Sequence, residues 1–370
     1  MNEHSPLSHF DEYPIHQFPQ PLRVVATSDA RAYERYWFAA HDLGQQFMLV
    51  VGFGFYPNLG TADAYAIFVH GGVHTTVRAH RLLGDDRSRI ETAPLRAEIV
   101  EAFREWHLTV GENPQDLLVD IRWQDTKRAV FHQMGGGGTA TNRSGRLTPP
   151  MVGYETFGRA AGTVSRGGET FELTFGATTG SRDHHWGMRE GVGGPGHLLE
   201  PRPTTTHLGQ WIDFGTWSIW GSRVLYNLGD ARAGAGAVTP LEHRMSFEPE
   251  TNHLLGGVIT NRLADGTVKT VTYEPAGDLV AYLRCGMYYG VQGGTPEEDY
   301  YQGTYVGDNV VGGESYTITD PATRIRIGGF EDRMVVASCD GERTVGILEC
   351  RNPLLYQMCR DGHPGFGMAP

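Results

Sequence analysis

The amino-acid sequence predicts a soluble, almost entirely β-sheet protein made of two consecutive antiparallel, barrel-like halves. Short segments with alternating apolar and polar residues recur from about residue 47 to residue 350, and this period of two is typical of half-buried strands. Fifty glycines and 20 prolines supply tight turns and curved strands. At 370 residues the chain is too long for a single typical core, which favours two domains.

The predicted strands are mostly about four to eight residues long, and Gly, Asn, Asp-Gly or Pro turns separate many of them. In the segment FELTF (171–175), the apolar side chains fall on one face and the polar ones on the other, as a barrel wall requires. Each half has room for roughly seven to nine strands, the number that closes a small barrel around one ligand. The clearest segments are 65–69, 73–78, 117–123, 171–175, 223–228, 268–273, 279–284, 334–338 and 344–348.

Two segments have the composition of short helices, 29–38 (DARAYERYWF) and 94–104 (PLRAEIVEAFR). Pro94 suits the first turn of the second one. Because strands and helices do not alternate along the chain, we do not expect a parallel nucleotide-binding sheet.

The domain division is predicted from a break in the strand rhythm. The Gly- and Pro-rich stretch GVGGPGHLLEPRPTTTH (191–207) is followed by a tryptophan-rich segment and the loop ARAGAGAVTP (231–240). We therefore predict an N-terminal extension, a first barrel, an aromatic-rich connecting segment and a second barrel, at residues 1–30, 31–200, 201–239 and 240–370.

Charge and composition argue against several classes of partner. The net charge of −12 repels a nucleic-acid backbone, and no basic run offsets it. The longest apolar stretch, 47–56, contains two glycines and is too short to span a membrane. The N-terminus lacks the pattern of a signal peptide, and the four cysteines include no Cys-x-x-Cys pair, so we expect reduced thiols and a cytoplasmic protein.

The common catalytic and cofactor motifs are missing from the sequence. There is no Gly-x-Ser-x-Gly, the four glycines at 135–138 lack the Lys-Ser/Thr of a phosphate loop, and the Gly-x-G-x-x-G spacing at 191–196 is interrupted by Pro195 and followed by no helix. We therefore predict no cofactor and no metal. A metalloenzyme stays open as an alternative, because His70 and His74 could share a strand face with a carboxylate nearby.

The densest group of chemically active residues is SRDHHWGMR (181–189), with Asp183, His184, His185 and Trp186 in succession. An Asp beside a His can donate or accept a proton, and a Trp face can stabilise a developing cation. Adjacent strand residues point to opposite faces, so His184 and His185 are not expected to bind one metal ion together. The alternative is a structural latch between the halves, with Arg and Asp paired and Trp buried.

A second group is aromatic. Trp211, Phe214, Trp217, Trp220 and Tyr226 follow the Gly- and Pro-rich stretch, and they either pack a core or line an apolar ligand cavity. The residues predicted to contact a substrate are Trp37, Trp123, Tyr154, Trp211, Trp217 and Tyr288.

Three stretches together resemble one known family: AYERYWFAAHD (32–42), GYETFGRAAGTV (153–164) and SRDHHWGMR (181–189). They are similar to the AttH / carotenoid 1,2-hydratase (hydroxyneurosporene synthase-like) family, with looser agreement at 209–215 and 341–351. The resemblance implies two successive lipocalin-like barrels and a hydrophobic ligand near the seam between them. It also implies chemistry driven by protonation, in which Asp183 or a neighbouring His is the acid–base group and Trp186 faces the electron-poor carbon. A carboxylic acid buried in an apolar cavity has a raised pKa and can donate a proton near neutral pH.

The resulting prediction is a cofactor-independent lyase, hydratase or isomerase acting on an isoprenoid, polyketide or aromatic small molecule. Asp183, His184, His185 and Trp186 are its predicted catalytic residues. The expected partner is a hydrophobic small molecule, without nucleic acid or a membrane span, and a homodimer is left open. The alternatives are a non-catalytic carrier of a hydrophobic ligand, a His-dependent metalloenzyme and an interaction scaffold.

Overall fold

In the computed structural model, almost all regular structure is β-strand, arranged in two curled antiparallel sheets that each form a half-barrel. This confirms the predicted all-β class with two barrel-like halves. Among the described residues, no helix combines the length and apolar character needed to cross a membrane. The structure describes residues 14–17, 19–134, 140–141, 147–148, 151–189, 192–193, 207–225, 230–232, 238–248, 251, 253–287 and 301–351.

The first sheet has 13 strands, and most of them come from the first half of the chain. Its strands in chain order are β1 (Ala32–Asp42), β2 (Phe47–Tyr56), β3 (Thr61–His70), β4 (Val73–Leu82), β5 (Glu91–Thr92), β6 (Leu95–Glu101), β7 (Glu105–Val110), β8 (Leu117–Asp125), β9 (Val130–Met134), β12 (Met151–Arg166), β13 (Glu169–Leu173), β14 (Thr178–Met188) and β21 (Val310–Thr317). The short strands β10 (Ala140–Thr141) and β11 (Leu147–Thr148) form a separate pair.

The second sheet has eight strands, in the spatial order β17-β16-β15-β23-β22-β20-β19-β18. The one helix among the described residues, α1 (Pro321–Ile327), connects β21 to β22, and the Asp320 side chain accepts hydrogen bonds from its first free backbone N–H groups. The strands are β15 (His207–Asp213), β16 (Ser218–Leu225), β17 (Asp230–Arg232), β18 (Val238–Phe247), β19 (Leu254–Leu263), β20 (Val268–Tyr282), β22 (Phe330–Cys339) and β23 (Glu342–Arg351).

Three large apolar clusters and one small one, around Tyr33, Tyr56 and Val192, form the core of the described residues. One fills the concave side of the first sheet, and another fills the concave side of the second. The third lies between the two sheets, where the outer faces of β1, β2 and β3 meet β20, β22 and β23. Strand β8 alternates strictly between buried and exposed positions, whereas β2 and β3 are buried on both faces because the second sheet covers their outer side.

Both predicted helices are wrong, because these segments form β1 and β6. Strand β1 pairs with β2 on one side and β14 on the other, and nearly all of its residues are buried. A strand buried on both faces has no polar face, so its aromatic residues fall at consecutive positions and do not show the two-residue period. In β6, Leu95 and Ala97 face the core while Arg96 and Glu98 are exposed.

Sheet membership does not follow the chain halves strictly. The predicted connecting segment, 201–239, contributes β15, β16 and β17 to the second sheet. Strand β21, from the second half of the chain, pairs with β4 at the edge of the first sheet. The boundaries proposed from sequence stay a prediction, and any division into folding units has to place β21 with the first sheet.

Candidate active site

The predicted catalytic residues on strand β14 lie on two opposite faces of the first sheet. Alternate side chains of β14 point to opposite faces, so Asp183 and His185 face the second sheet and lie among the residues of the sheet interface. His184 and Trp186 point to the concave side, where His184 stacks on Tyr36. The expectation that the two histidines point apart is confirmed. The four residues therefore do not form one catalytic group.

Asp183 lies in a buried ion pair between neighbouring strands. Nη2 of Arg35, on β1, is 2.9 Å from Oδ2 and 3.2 Å from Oδ1 of Asp183. The Nδ1 atom of His185 lies 3.2 Å from Oδ2 of Asp183, and its Nε2 lies 3.9 Å from Oε1 of Glu155 on β12. All four side chains are buried. We call Arg35, Asp183, His185 and Glu155 the interface cluster.

The second sheet reaches this cluster with an aromatic side chain. Nε1 of Trp211, on β15, donates a hydrogen bond of 2.7 Å to Oε2 of Glu155. Trp37, on β1, lies beside it with a ring-centroid separation of 6.2 Å. Two of the six predicted substrate-contacting residues, Trp37 and Trp211, therefore line the interface next to the charged groups.

The protonation state of Asp183 differs from the expectation. Burial alone would raise the pKa of Asp183, but the charge of Arg35 and the contact with His185 lower it well below its usual range. The expected raised pKa is therefore wrong, because a guanidinium lies at hydrogen-bond distance from the carboxylate. Burial lowers the pKa of His185, against the charge of Asp183, so the imidazole is neutral near pH 7.

A second carboxyl group, Asp332, has the property that was predicted for Asp183. Asp332 is 1% exposed on β22, directly opposite Glu349 on β23. Burial and the charge of Glu349 raise its pKa well above the usual range, while Arg35 acts in the opposite direction. The raised pKa favours the protonated carboxylic acid at Asp332, which lies within the electrostatic reach of Arg35 and Asp183.

The sequence contains a signal for Asp332 that strand periodicity alone does not reveal. In β22, FEDRMVVASC, three consecutive charged residues open a strand that is buried almost throughout. Charged side chains are rarely fully buried unless they are paired or functional, so such a run within an apolar strand marks a site. Arg35 and Glu155 had no comparable local signal, because their partners lie far away in the sequence.

The arrangement brings a proton donor and a proton acceptor into one apolar interface. Asp332 can donate, neutral His185 can accept, and the Arg35–Asp183 ion pair supplies fixed charge beside them. Glu349 and Arg189, whose charges act on Asp332 and Asp183 respectively, are only half-buried. The faces of Trp37 and Trp211 provide the apolar part of the wall.

A comparison with protein families decides the affiliation of the chain. Residues 7–218 match the model of a family of unknown function, DUF8625, and this region is more than half of the sequence. The chain belongs to the DUF8625 family. The matched region includes Arg35, Glu155, Asp183 and His185, while Asp332 lies beyond it. No curated protein sequence gives a significant match.

Several solved structures are similar in fold to this DUF8625 protein. A protein described as AttH from Nitrosomonas europaea is 13% identical, with 92% of this chain and 98% of that chain covered and a TM-score of 0.49. Kievitone hydratase from Nectria haematococca is 11% identical, with 90% and 94% covered and a TM-score of 0.39. CghA is 9% identical, with 87% and 88% covered and a TM-score of 0.42.

The other predicted site residues of the DUF8625 protein lie away from the interface cluster. Trp123 and Tyr154 are inside the first half-barrel, where Trp123 donates a hydrogen bond to Asp125. Trp217 stacks on Phe214 at the turn between β15 and β16, 4.2 Å between ring centroids, and donates to Glu342. Tyr288 lies outside the described residues.

The proposed His70–His74 metal pair does not form. Because His74 lies opposite Val69 in the β3–β4 hairpin, it points to the face opposite to that of His70. Nε2 of His74 accepts a hydrogen bond from the backbone N–H of Tyr282, and Nδ1 of His70 lies 2.7 Å from the carbonyl of Gln46. The prediction that His70 and His74 share a strand face is therefore wrong. The described part of the chain contains no group of three or more potential metal ligands.

Proposed function

We propose that this protein is a lyase, hydratase or isomerase that acts on an apolar small molecule by acid–base chemistry at the interface between its two sheets. The carrying observation is the combination of a buried carboxyl group with a raised pKa, Asp332, and a buried imidazole with a lowered pKa, His185, beside the Arg35–Asp183 ion pair. Pairs of titratable groups whose surroundings push their protonation states apart are typical of acid–base sites.

In the proposed reaction Asp332 transfers its proton to an unsaturated carbon of the substrate. The carbocation that forms is stabilised by the electron-rich faces of Trp37 and Trp211. In a hydration, water adds to the cation and His185 removes a proton from the adding water. In an isomerisation, His185 removes a proton from a neighbouring carbon instead. Each route takes one proton from Asp332 and gives one proton to His185. Transfer of a proton from His185 back to Asp332, through solvent, restores the starting state.

Asp183 has a supporting part in this proposal. Its carboxylate is held ionised by Arg35 and lies 3.2 Å from Nδ1 of His185. A carboxylate at one imidazole nitrogen fixes the tautomer and stabilises the imidazolium that forms when the other nitrogen takes up a proton. Asp183 is thus a positioning residue, and Asp332 is the acid. We also propose that the chain is related to the AttH / carotenoid 1,2-hydratase family, on the strength of the stretch SRDHHWGMR (181–189).

Proton exchange tests the proposal, because exchange can be detected in a model alkene without net conversion to product. The wild-type protein is incubated in D₂O with geraniol, farnesol or an ortho-prenylphenol, and deuterium in the recovered alkene is measured by mass spectrometry. Protonation of the double bond followed by proton loss incorporates deuterium. We expect Asp332→Asn to reduce incorporation by about 10²–10⁴-fold, the usual contribution of a general acid.

The control for this variant is its stability. Asn has the shape and neutral charge of a protonated Asp, so Asp332→Asn is expected to unfold at nearly the same urea concentration as wild type at pH 7. Leu255→Ala, at an exposed position of β19, serves as the unrelated variant. If Asp332→Asn is folded and exchanges deuterium at the wild-type rate, the assignment of the acid is wrong.

A further inference from the structure

A row of aromatic side chains runs from the core of the first half-barrel to its exposed end, apart from the interface cluster. The strand register places five residues directly opposite one another on the concave face, across β9, β12, β14, β1 and β2. They are Phe131, Tyr154, His184, Tyr36 and Phe53. The proposed reaction at the sheet interface uses none of these side chains.

His184 is the polar centre of this row. Its ring stacks on Tyr36 with 4.0 Å between centroids and meets the edge of Tyr154 at 5.4 Å. The ring of Trp186 lies next to His184, with 5.1 Å between the ring centroids. Nε2 of His184 lies 2.9 Å from Oε1 of Glu34, whose side chain is 31% exposed. A carboxylate so exposed keeps lone pairs that can accept a hydrogen bond from a ligand.

The rim of this end is apolar and exposed. Phe131 is 64% exposed and contacts Trp186, and Phe103 in the β6–β7 turn is 62% exposed and contacts Tyr154. Ile99, opposite Trp106 in the β6–β7 pair, adds further exposed apolar surface on this face. Large apolar side chains that line an opening, and are grouped there, mark an interaction site more often than single exposed residues do.

The floor of the opening is closed by a buried ion pair. The guanidinium of Arg182 binds both carboxylate oxygens of Asp125 and lies over the rings of Trp106 and Tyr154, at 5.2 and 5.3 Å from the centroids. At the rim, Nη2 of Arg87 pairs with Glu34. The positive charges of the two arginines therefore balance the negative charges of Asp125 and Glu34 around the opening. This balance favours a neutral ligand over an ion.

We propose that the open end of the first half-barrel binds a flat, neutral aromatic molecule that carries a hydroxyl group. The ring packs against Phe131, Tyr154 and Phe103, and the hydroxyl donates a hydrogen bond to Glu34 beside His184. This site is separate from the proposed acid–base centre, because His184 and Asp183 lie on opposite faces of β14. Binding there does not depend on the proposed reaction.

The test compares two matched probes, 2-naphthol and 2-methylnaphthalene, which share a ring system and differ in the hydroxyl. Binding to the full chain is followed by the fluorescence of the naphthyl ring. Phe131→Ala is expected to weaken the binding of both probes about tenfold, because it removes one aromatic contact. Leu255→Ala, 54% exposed on the second sheet, is the control and leaves both affinities unchanged.

A second variant tests the polar contact. Wild type is expected to prefer 2-naphthol over 2-methylnaphthalene by about tenfold, the equivalent of one hydrogen bond, and Glu34→Gln is expected to remove most of that preference. Equal affinity of Phe131→Ala and wild type for 2-naphthol overturns the site. Loss of 2-naphthol binding in Asp332→Asn, with Phe131→Ala unaffected, places the probe at the sheet interface and also overturns it.

Discussion

At the scale of single residues, the position of His185 depends on a glycine. Gly153 lies opposite His185 in the β12–β14 pair, and the imidazole lies across it. A Cβ atom at residue 153 would come within 2.1 Å of Cδ2 of His185 and 2.4 Å of the carbonyl oxygen of His184. The second contact is with backbone, which cannot rotate away as a side chain could. Only glycine therefore lets the imidazole stay beside Asp183.

We expect Gly153→Ala to destabilise the protein by about 1–3 kcal/mol, the usual cost of forcing extra volume into a packed region. It should also displace His185 from Asp183. Urea unfolding measures the first effect, and the NMR titration of His185 reports the second. Gly312→Ala is the matched control, since no atom lies within 4 Å of a Cβ built there. Equal stability of the two variants would show that His185 has room to move.

At the scale of secondary-structure elements, β21 connects the second half of the chain to the first sheet. It pairs with β4 along its whole length, and the Arg78 guanidinium on β4 binds both carboxylate oxygens of Glu314 on β21. Arg78 also donates a hydrogen bond of 2.9 Å to the carbonyl oxygen of Cys285, close to the end of β20. One buried arginine thus links three segments that are far apart in sequence.

Glu314→Gln is expected to destabilise the protein by about 3 kcal/mol, because it leaves the buried Arg78 without its counter-charge. Glu98→Gln is the control, since its pair with Arg96 is exposed and contributes at most about 1 kcal/mol. Hydrogen exchange should show β21 amides losing protection before the other strands of the first sheet. If the two variants are equally stable, the ion pair does not hold β21 in place.

At the scale of the whole molecule, buried histidines make the fold sensitive to acid. Burial lowers the pKa of His41 and His80 to about 4, of His74 to about 3 and of His253 to about 2, and it also lowers that of His185. His74 has a visible reason to stay neutral, because its Nε2 accepts the backbone hydrogen bond that joins β4 to β20. Three buried carboxyl groups have raised pKa values, Asp63 (about 7), Glu331 and Asp332.

These two sets act in opposite directions as the pH falls. Between about pH 6 and pH 5 the unfolded chain takes up protons on the five histidines, whose pKa values burial lowers in the folded state, whereas the three carboxyl groups bind protons more strongly in the folded state. Because the histidines outnumber the carboxyl groups, unfolding takes up protons in this window. We therefore expect the free energy of unfolding to decrease as the pH falls from 6 to 5.

Urea unfolding at a series of pH values measures this slope. His74→Gln, which keeps an acceptor for the Tyr282 N–H but cannot take up a proton, should lower the slope by about one proton, or about 1.4 kcal/mol per pH unit. Stability that is constant or rises between pH 6 and pH 5 would contradict the excess of buried neutral histidines.

How far the sequence predicted the fold depended on how each strand is buried. Strand β8 has one buried and one exposed face, so its alternation revealed it directly. The residues of β1, buried on both faces, carry no such period, and their composition predicts a helix instead. Strand β21 joined the first sheet through pairing with β4, more than 200 residues earlier in the chain, and no local pattern indicates such a partner.

The same distinction applies to the candidate site. The sequence by itself determined that Asp183, His184 and His185 lie together in a strand and that the two histidines point apart, because both follow from the two-residue period. Only the tertiary structure decided that Arg35 lowers the pKa of Asp183 and that burial and Glu349 raise the pKa of Asp332. Protonation depends on charges and solvent within a few ångströms, and these come from strands that are distant in sequence but adjacent in space.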